Sequence, residues 1–348
     1  MKRGVSRALR WVLTAAIVAF LIIFARTIDW HAAWASIRNA SLPLLAAAVG
    51  LNLLTLVIKA VRWWVFLSPA GSPSLPLAMR ATVAGAGLNN VLVANGGDAA
   101  RVVFISRSTG IPSSTVLATV ALERLFDPVG FMVLLVFGVL FFDLPPSLEK
   151  WHIPSEIALG LVAILLIWFV YASRHARPEH LPERRTQARG IVGRIREYLV
   201  SFAASTQKLT TGPRFVGALV LSMLSWAGQF ATFQLAANAA HVAIPAAGSL
   251  AALLAINLGL LIRATPGNVG FFQFVFALAV EPFGVARNDA IAVSLLIQTL
   301  QILPVTLLGV ALAPEFIFKR KKLKDTTLPA DSGLVEEGDE FGGVSGKS

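Results

Sequence analysis

Six stretches of this chain are long and apolar enough to be read as bilayer spans, and that feature constrains the fold more than any other. They run Trp11 to Ile28, Leu42 to Leu67, Leu125 to Phe142, Ile157 to Ala172, Phe215 to Ala237 and Ile291 to Pro314, each near the roughly 20 residues that a helical span needs. Of the 348 residues, 56% are hydrophobic and 14% charged. A soluble domain of that composition would carry more apolar surface than it could bury. The sequence predicts an all-α polytopic membrane protein with about six to eight transmembrane helices, since lipid forces the backbone to satisfy its own hydrogen bonds. The first stretch follows Lys2, Arg3, Arg7 and Arg10 as a signal peptide would. No small-residue cleavage site follows it, so an uncleaved first helix is expected.

The basic residues set the orientation. The chain holds 30 Lys and Arg against 19 acidic residues, a net charge of +11. They gather at the N-terminus, in the loop 174–214 (Arg177, Arg184, Arg185, Arg189, Arg194, Arg196, Lys208) and after Phe318 (Lys319, Arg320, Lys321, Lys322, Lys324). All three regions are expected in the cytoplasm. The excess charge is thereby explained without nucleic acid as a partner. Within the loop, Ile191, Ile195, Leu199 and Phe202 share one helical face among the arginines, a pattern that suits either a helix lying on anionic lipid or one packed on neighbouring spans. Residues 1–318 are expected to form the membrane domain. Residues 319–348, a short basic run followed by an acidic stretch rich in Gly and Ser, are expected to be a disordered cytoplasmic tail.

Parity along the chain isolates two further segments. If Leu42 to Leu67 ends inside and Leu125 starts inside, Ser68 to Arg124 must leave and return to the same side. By the same count Gly248 to Asp289 returns to the outer side. Each is a hairpin, either spanning or re-entrant, and the two enter from opposite faces. Their turns are Asn95-Gly96-Gly97-Asp98 and Thr265-Pro266-Gly267-Asn268-Val269-Gly270. Opposed broken hairpins are how inverted-repeat transporters build a site at the bilayer midplane.

Polar residues near these turns carry the chemistry. Asp98, Arg101 and Arg107 follow the first turn, and Glu123, Arg124 and Asp127 stand at the start of the next span. A charge at mid-bilayer costs about 2.5 to 3.5 kcal/mol on insertion scales, so such residues pair with one another or line a wet cavity. Asp98 and Arg101 share a helix face, as do Glu123 and Asp127. The plainer reading is a set of interfacial charges that snorkel and fix topology. In the second hairpin Arg263 precedes the turn and Gln273 lies one helical turn beyond it. Backbone donors freed by Pro266, Gly267 and Gly270 beside Arg263 suit a phosphate, although Pro-Gly also marks ordinary turns.

The run Gly97-Asp98-Ala99-Ala100-Arg101, the Gly110-Ile111-Pro112 turn and Glu123-Arg124-Leu125-Phe126-Asp127, together with Arg263 to Gln273, resemble the two signatures of the lysylphosphatidylglycerol synthase transmembrane region, also called the flippase-like family. The resemblance extends from about Trp11 to Phe318. It implies a polytopic inner-membrane protein that moves a lipid between leaflets, in characterised relatives fused to an aminoacyl-lipid synthase domain. Carried over, it points to Asp98, Arg101, Glu123, Arg124, Asp127, Pro266, Gly267 and Gly270. The chain departs from the pattern in three places. Asn268 stands for the second Gly, Gln273 for an acid, and Val93-Ala94-Asn95 lacks a proline. A Gln at 273 can hydrogen-bond a head group but cannot titrate.

No catalytic template is present. The sequence has no P-loop, no H-E-x-x-H and no G-x-S-x-G, and with no cysteine it offers no thiolate or Cys metal site. His31, His152, His175, His180 and His241 fall in expected loops or at their edges, so no metal and no cofactor is expected. Too little chain follows Phe318 for a synthase domain, so an enzyme is not expected. Three readings stay open. The first is a translocase for an anionic or modified phospholipid, or a polyprenyl-phosphate-linked lipid, with Arg101, Arg124 and Arg263 facing phosphate. The second is a non-transporting scaffold or regulator of a separate lipid-modifying enzyme. The third is a polyprenyl-phosphate-dependent transferase using Asp98, Glu123 or Asp127 as base. The expected setting is the inner membrane, with both termini cytoplasmic.

Overall fold

The computed structural model describes residues 30–71, 73–91, 96–143, 145, 146, 153, 156, 157, 160, 164, 212–259 and 268–318. Their order is α1 (Trp30–Arg38), α2 (Leu42–Leu67), α3 (Leu75–Val91), α4 (Gly96–Thr109), α5 (Ser113–Phe141), α6 (Gly212–Ala239), α7 (Ala246–Gly259), α8 (Phe271–Val280) and α9 (Arg287–Phe318). Short 3-10 turns follow α2 at Ser68–Ala70 and α8 at Glu281–Phe283. The chain is an all-α polytopic membrane protein: among the described residues four helices are long and apolar enough to cross a bilayer, Leu42–Ala70, Ser113–Phe141, Pro213–Ala239 and Arg287–Leu312. The stretch Trp11 to Ile28, the first turn at Asn95, the second turn from Thr265 to Gly267 and the tail 319–348 lie outside the described residues. So does most of Ile157 to Ala172, and of the loop 174–214 only the last three residues, which open α6, are described.

The spans α2 and α6 run antiparallel and pack intimately, because Gly228 leaves room for Thr55: a Cβ there would meet the Thr55 hydroxyl. Small residues of this kind let membrane helices approach where no hydrophobic force between them exists. Leucines and valines at helical spacing form stripes on the outer surface, Val216, Val220 and Leu224 on α6 and Leu303, Leu307 and Val310 on α9. Such a stripe is what lipid tails solvate.

The fifth helix starts earlier than the span Leu125 to Phe142 read from sequence. It is one continuous 29-residue helix from Ser113, and so takes in residues 113–124, which the sequence places in the hairpin segment. Charges at Glu123, Arg124 and Asp127 suggest a boundary there, yet they are satisfied by partners on other helices and the backbone continues through them, and through Pro128.

The described hairpin helices are shorter than the four spans. At 1.5 Å per residue the described part of α3 covers about 26 Å, that of α4 and of α7 about 21 Å and α8 about 15 Å, against a hydrocarbon core of about 30 Å. In the first hairpin α3 and α4 lie back to back, with Gly97 pressed on the Gly85 carbonyl and its N–H donating to Asn89 Oδ1 at 2.8 Å. In the second, Gly259 of α7 faces Phe271 and Val275 of α8, and Gly248 faces Phe283.

The long helix α9 shows how the hairpins are opposed. On α3, Gly87 crosses Gly309, where a Cβ would lie 2.7 Å from the Gly309 Cα. Further along α3, Asn90 Nδ2 donates to Thr306 Oγ1 at 3.0 Å and to the Ile302 carbonyl at 3.4 Å. The first hairpin thus climbs from the C-terminal end of α9 to its middle. The second hangs from the N-terminal end, because α8 is joined to α9 through Glu281–Phe283, and Gln273 Nε2 donates to Gln298 Oε1 at 2.7 Å. Their inner ends therefore dock on the central part of the same helix, from Gln298 to Thr306, where Asn52 of α2 also donates to the Leu300 carbonyl at 3.2 Å. Apolar packing holds each half. Phe233, Leu253, Phe276, Ile291 and Ile297 cluster around the second hairpin, and Trp63, Leu67, Ala81, Ile105 and Val116 cluster beneath the first.

Candidate functional site

Three arginines and three carboxylates meet between the first hairpin, α2 and α5. From α2, Arg62 Nη2 lies 2.8 Å from Asp127 Oδ1 and 3.4 Å from Glu123 Oε1. From α4, Arg101 Nη2 lies 2.6 Å from Glu123 Oε2 and 3.9 Å from Asp98 Oδ1. From α5, Arg124 Nη2 lies 2.5 Å from Asp98 Oδ2, and its Nη1 lies 3.8 Å from Asp127 Oδ2. Cation and anion alternate around a closed ring: Arg62, Glu123, Arg101, Asp98, Arg124, Asp127 and back to Arg62.

The helical repeat explains why the ring closes. Glu123 and Asp127 are one turn apart on α5 and both face Arg62, while Arg124 lies between them in sequence and points toward the rim. On α4, Asp98 and Arg101 are likewise one turn apart. Asn89 of α3 fixes Asp98 by donating to its Oδ1 at 3.2 Å, so the position of this carboxylate is set by the hairpin itself.

The ring has a buried floor and an open rim. Arg62, Arg101 and Glu123 are buried, whereas the Arg124 side chain is 57% exposed and that of Asp127 34%. The floor is braced on all sides. Arg62 Nη1 donates to Ser222 Oγ of α6 at 2.6 Å. The Arg101 guanidinium stacks 4.2 Å from the ring centroid of the buried Trp63, whose Nε1 donates to Thr119 Oγ1 at 3.1 Å. A cation over a desolvated aromatic face gains about 2 kcal/mol or more. Even so, the Nε of Arg62 and the Nε of Arg101 are buried without a hydrogen-bond partner.

The residues expected from sequence divide into three groups. Asp98, Arg101, Glu123, Arg124 and Asp127 are brought together in one network. Gly96 and Gly97 open α4, and Gly97 is the point of close contact with α3. Gly270 and Gln273 lie in the other hairpin and do a local job: Gly270, at φ 81°, precedes α8, and its N–H donates to the Gln273 Oε1 at 2.6 Å. With its carbonyl capping the helix and its amide on Gln298, the buried Gln273 has both polar ends engaged by the protein. Arg263, Pro266 and Gly267 lie outside the described residues, and Arg107 is exposed in the last turn of α4.

Sequence reasoning missed Arg62, and with it Trp63 and Ser222. The signal was present: Lys59 and Arg62 are two charges one turn apart within an otherwise apolar span. Among the described residues no group of three or more His, Cys, Asp or Glu is arranged to hold a metal ion. Each carboxylate of the ring is instead turned toward arginine.

A family model described as the lysylphosphatidylglycerol synthase TM region matches residues 11–309. No curated protein matches the chain in sequence.

Proposed function

The chain belongs to the lysylphosphatidylglycerol synthase TM region family, and from that membership we propose that it moves a lipid with an anionic or modified phosphate head group between leaflets. A phospholipid, aminoacylated or not, and a polyprenyl-phosphate-linked lipid are the candidate cargoes. The observation that carries this reading is the ring of ion pairs whose floor is buried and whose rim, Arg124 with Asp127, is open. A head group entering along the first hairpin can exchange its phosphate for a carboxylate partner of Arg124 without uncovering the floor. The opposed hairpins support the reading too, since two short elements meeting on α9 can open toward either side by small movements. In this account the protein is a multi-pass protein of the inner membrane with cytoplasmic termini, and a separate lipid-modifying enzyme supplies its cargo.

A second reading has its own support. The ring is closed and its members satisfy one another, which is what a purely structural network would look like in a scaffold for a lipid-synthesis enzyme. Reconstituted vesicles separate the two. Fluorescent phosphatidylglycerol, its lysyl derivative and a short polyprenyl phosphate are offered to wild type and to Arg124→Gln. Translocation of one lipid by wild type that Arg124→Gln abolishes while remaining folded supports transport. Folded wild-type protein that moves none of the three overturns it in favour of the scaffold.

A further inference from the structure

Lys59 stands one turn before Arg62 on the same face of α2, in the interior of a 26-residue apolar helix. It is half-buried, and among the described residues no carboxylate lies within 4.0 Å of it, although Asp127, Glu123, Arg62 and Arg124 are all within Coulombic range. The six ring members cancel, three positive and three negative, so Lys59 leaves the site with one positive charge in surplus. A lone ammonium is costly at this depth. In the floor of the ring, the buried Nε of Arg62, one turn along α2 from Lys59, and the buried Nε of Arg101 also lack an acceptor. Surplus charge and unused donors call for the same thing, one negative charge carried by oxygens.

We infer that Lys59 is the counter-ion for a monoanionic phosphate bound beside the ring, the phosphodiester of a lipid head group or free dihydrogen phosphate. The inference rests on the lipid-transport reading and narrows it: the single phosphate charge that enters past Arg124 at the rim is matched by Lys59, while the buried floor of the ring, Arg62, Arg101 and Glu123, holds the surrounding helices in place. Lysine suits the role because its ammonium is a point charge on a flexible stem that can follow a moving phosphate, whereas the floor arginines Arg62 and Arg101 are held by their buried contacts.

The test uses the full-length protein in nanodiscs, titrated with phosphatidylglycerol, with diacylglycerol as the phosphate-free control and with inorganic phosphate. Wild type, Lys59→Arg and Lys59→Gln are compared, with thermal melting run alongside. Phosphatidylglycerol should bind wild type and Lys59→Arg alike, and Lys59→Gln roughly tenfold or more weakly, the scale of one charge-assisted hydrogen bond. Diacylglycerol should not bind. Competition by inorganic phosphate would mark free phosphate as a ligand, and its failure to compete would mark the lipid. Unchanged affinity in Lys59→Gln, or equal binding of diacylglycerol, overturns the assignment. If Lys59→Gln also moves lipid at the wild-type rate, the Lys59 site falls while transport stands. If wild type neither binds nor moves any lipid, both fall.

Discussion

Arg101 of the first hairpin and Glu123 of α5 meet at 2.6 Å, both buried, and this contact ties the hairpin to a span. Removing Arg101 leaves the buried Glu123 with only its longer 3.4 Å contact to Arg62 in a low-dielectric setting. Arg101→Met should therefore destabilise the protein by about 3–5 kcal/mol. The double variant Arg101→Met with Glu123→Leu should recover part of that loss, because Arg62 retains Asp127 and Ser222. Thermal melting of the four proteins of this cycle measures the coupling, and strictly additive losses would show that the pair is not linked.

Arg124 is the opposite case. With its side chain 57% exposed, its ion pairs are solvent-screened, and Arg124→Gln should change stability by less than about 1 kcal/mol. Lipid movement should nevertheless stop. Melting temperature and vesicle assay, read on the same preparation, must diverge.

Gly87 and Gly309 set the distance between α3 and α9. Gly87→Ala puts a methyl against backbone and should cost about 1–3 kcal/mol. Gly217→Ala on α6, where a Cβ meets nothing within 4 Å, should stay within about 0.5 kcal/mol of wild type. Equal effects at the two positions would contradict the close crossing.

Gln273 caps α8 and reaches Gln298. Gln273→Leu should lose about 1–3 kcal/mol, since the Gly270 N–H and the Gln298 amide both lose a partner. Adding Gln298→Leu should cost less than the same change made alone. Additivity here would mean that the amides are not paired.

Much of this architecture can be read in the sequence, and the exceptions share a cause. The hairpins show because Gly, Asn and Asp interrupt otherwise apolar runs, and their opposition follows from where the basic loops lie. Arg62 escapes because Leu42 to Leu67 reads as a plain span, and a lone sequence cannot reveal that its partners wait on α5 and α6. The start of α5 is misplaced for the complementary reason: Glu123, Arg124 and Asp127 resemble a boundary until the helices that neutralise them are present. Gln273 reads as a head-group contact because a buried amide and a ligand-facing one have the same chemistry. Only the positions of Gly270 and Gln298 distinguish them.

The central claim is that the end of α3 docks on the middle of α9, and the absence of native cysteine makes it directly measurable. Asn90→Cys and Thr306→Cys would be introduced together in the full-length protein and oxidised in native membranes, or bridged with a short thiol-specific crosslinker. Their parent side chains lie 3.0 Å apart, so the account predicts rapid crosslinking, while pairing Asn90→Cys with a cysteine at Leu312 gives none. Failure of the Asn90→Cys/Thr306→Cys pair to crosslink, with Asn90→Cys instead labelled by a membrane-impermeant maleimide from the far side, would show a hairpin that crosses the membrane and would contradict it.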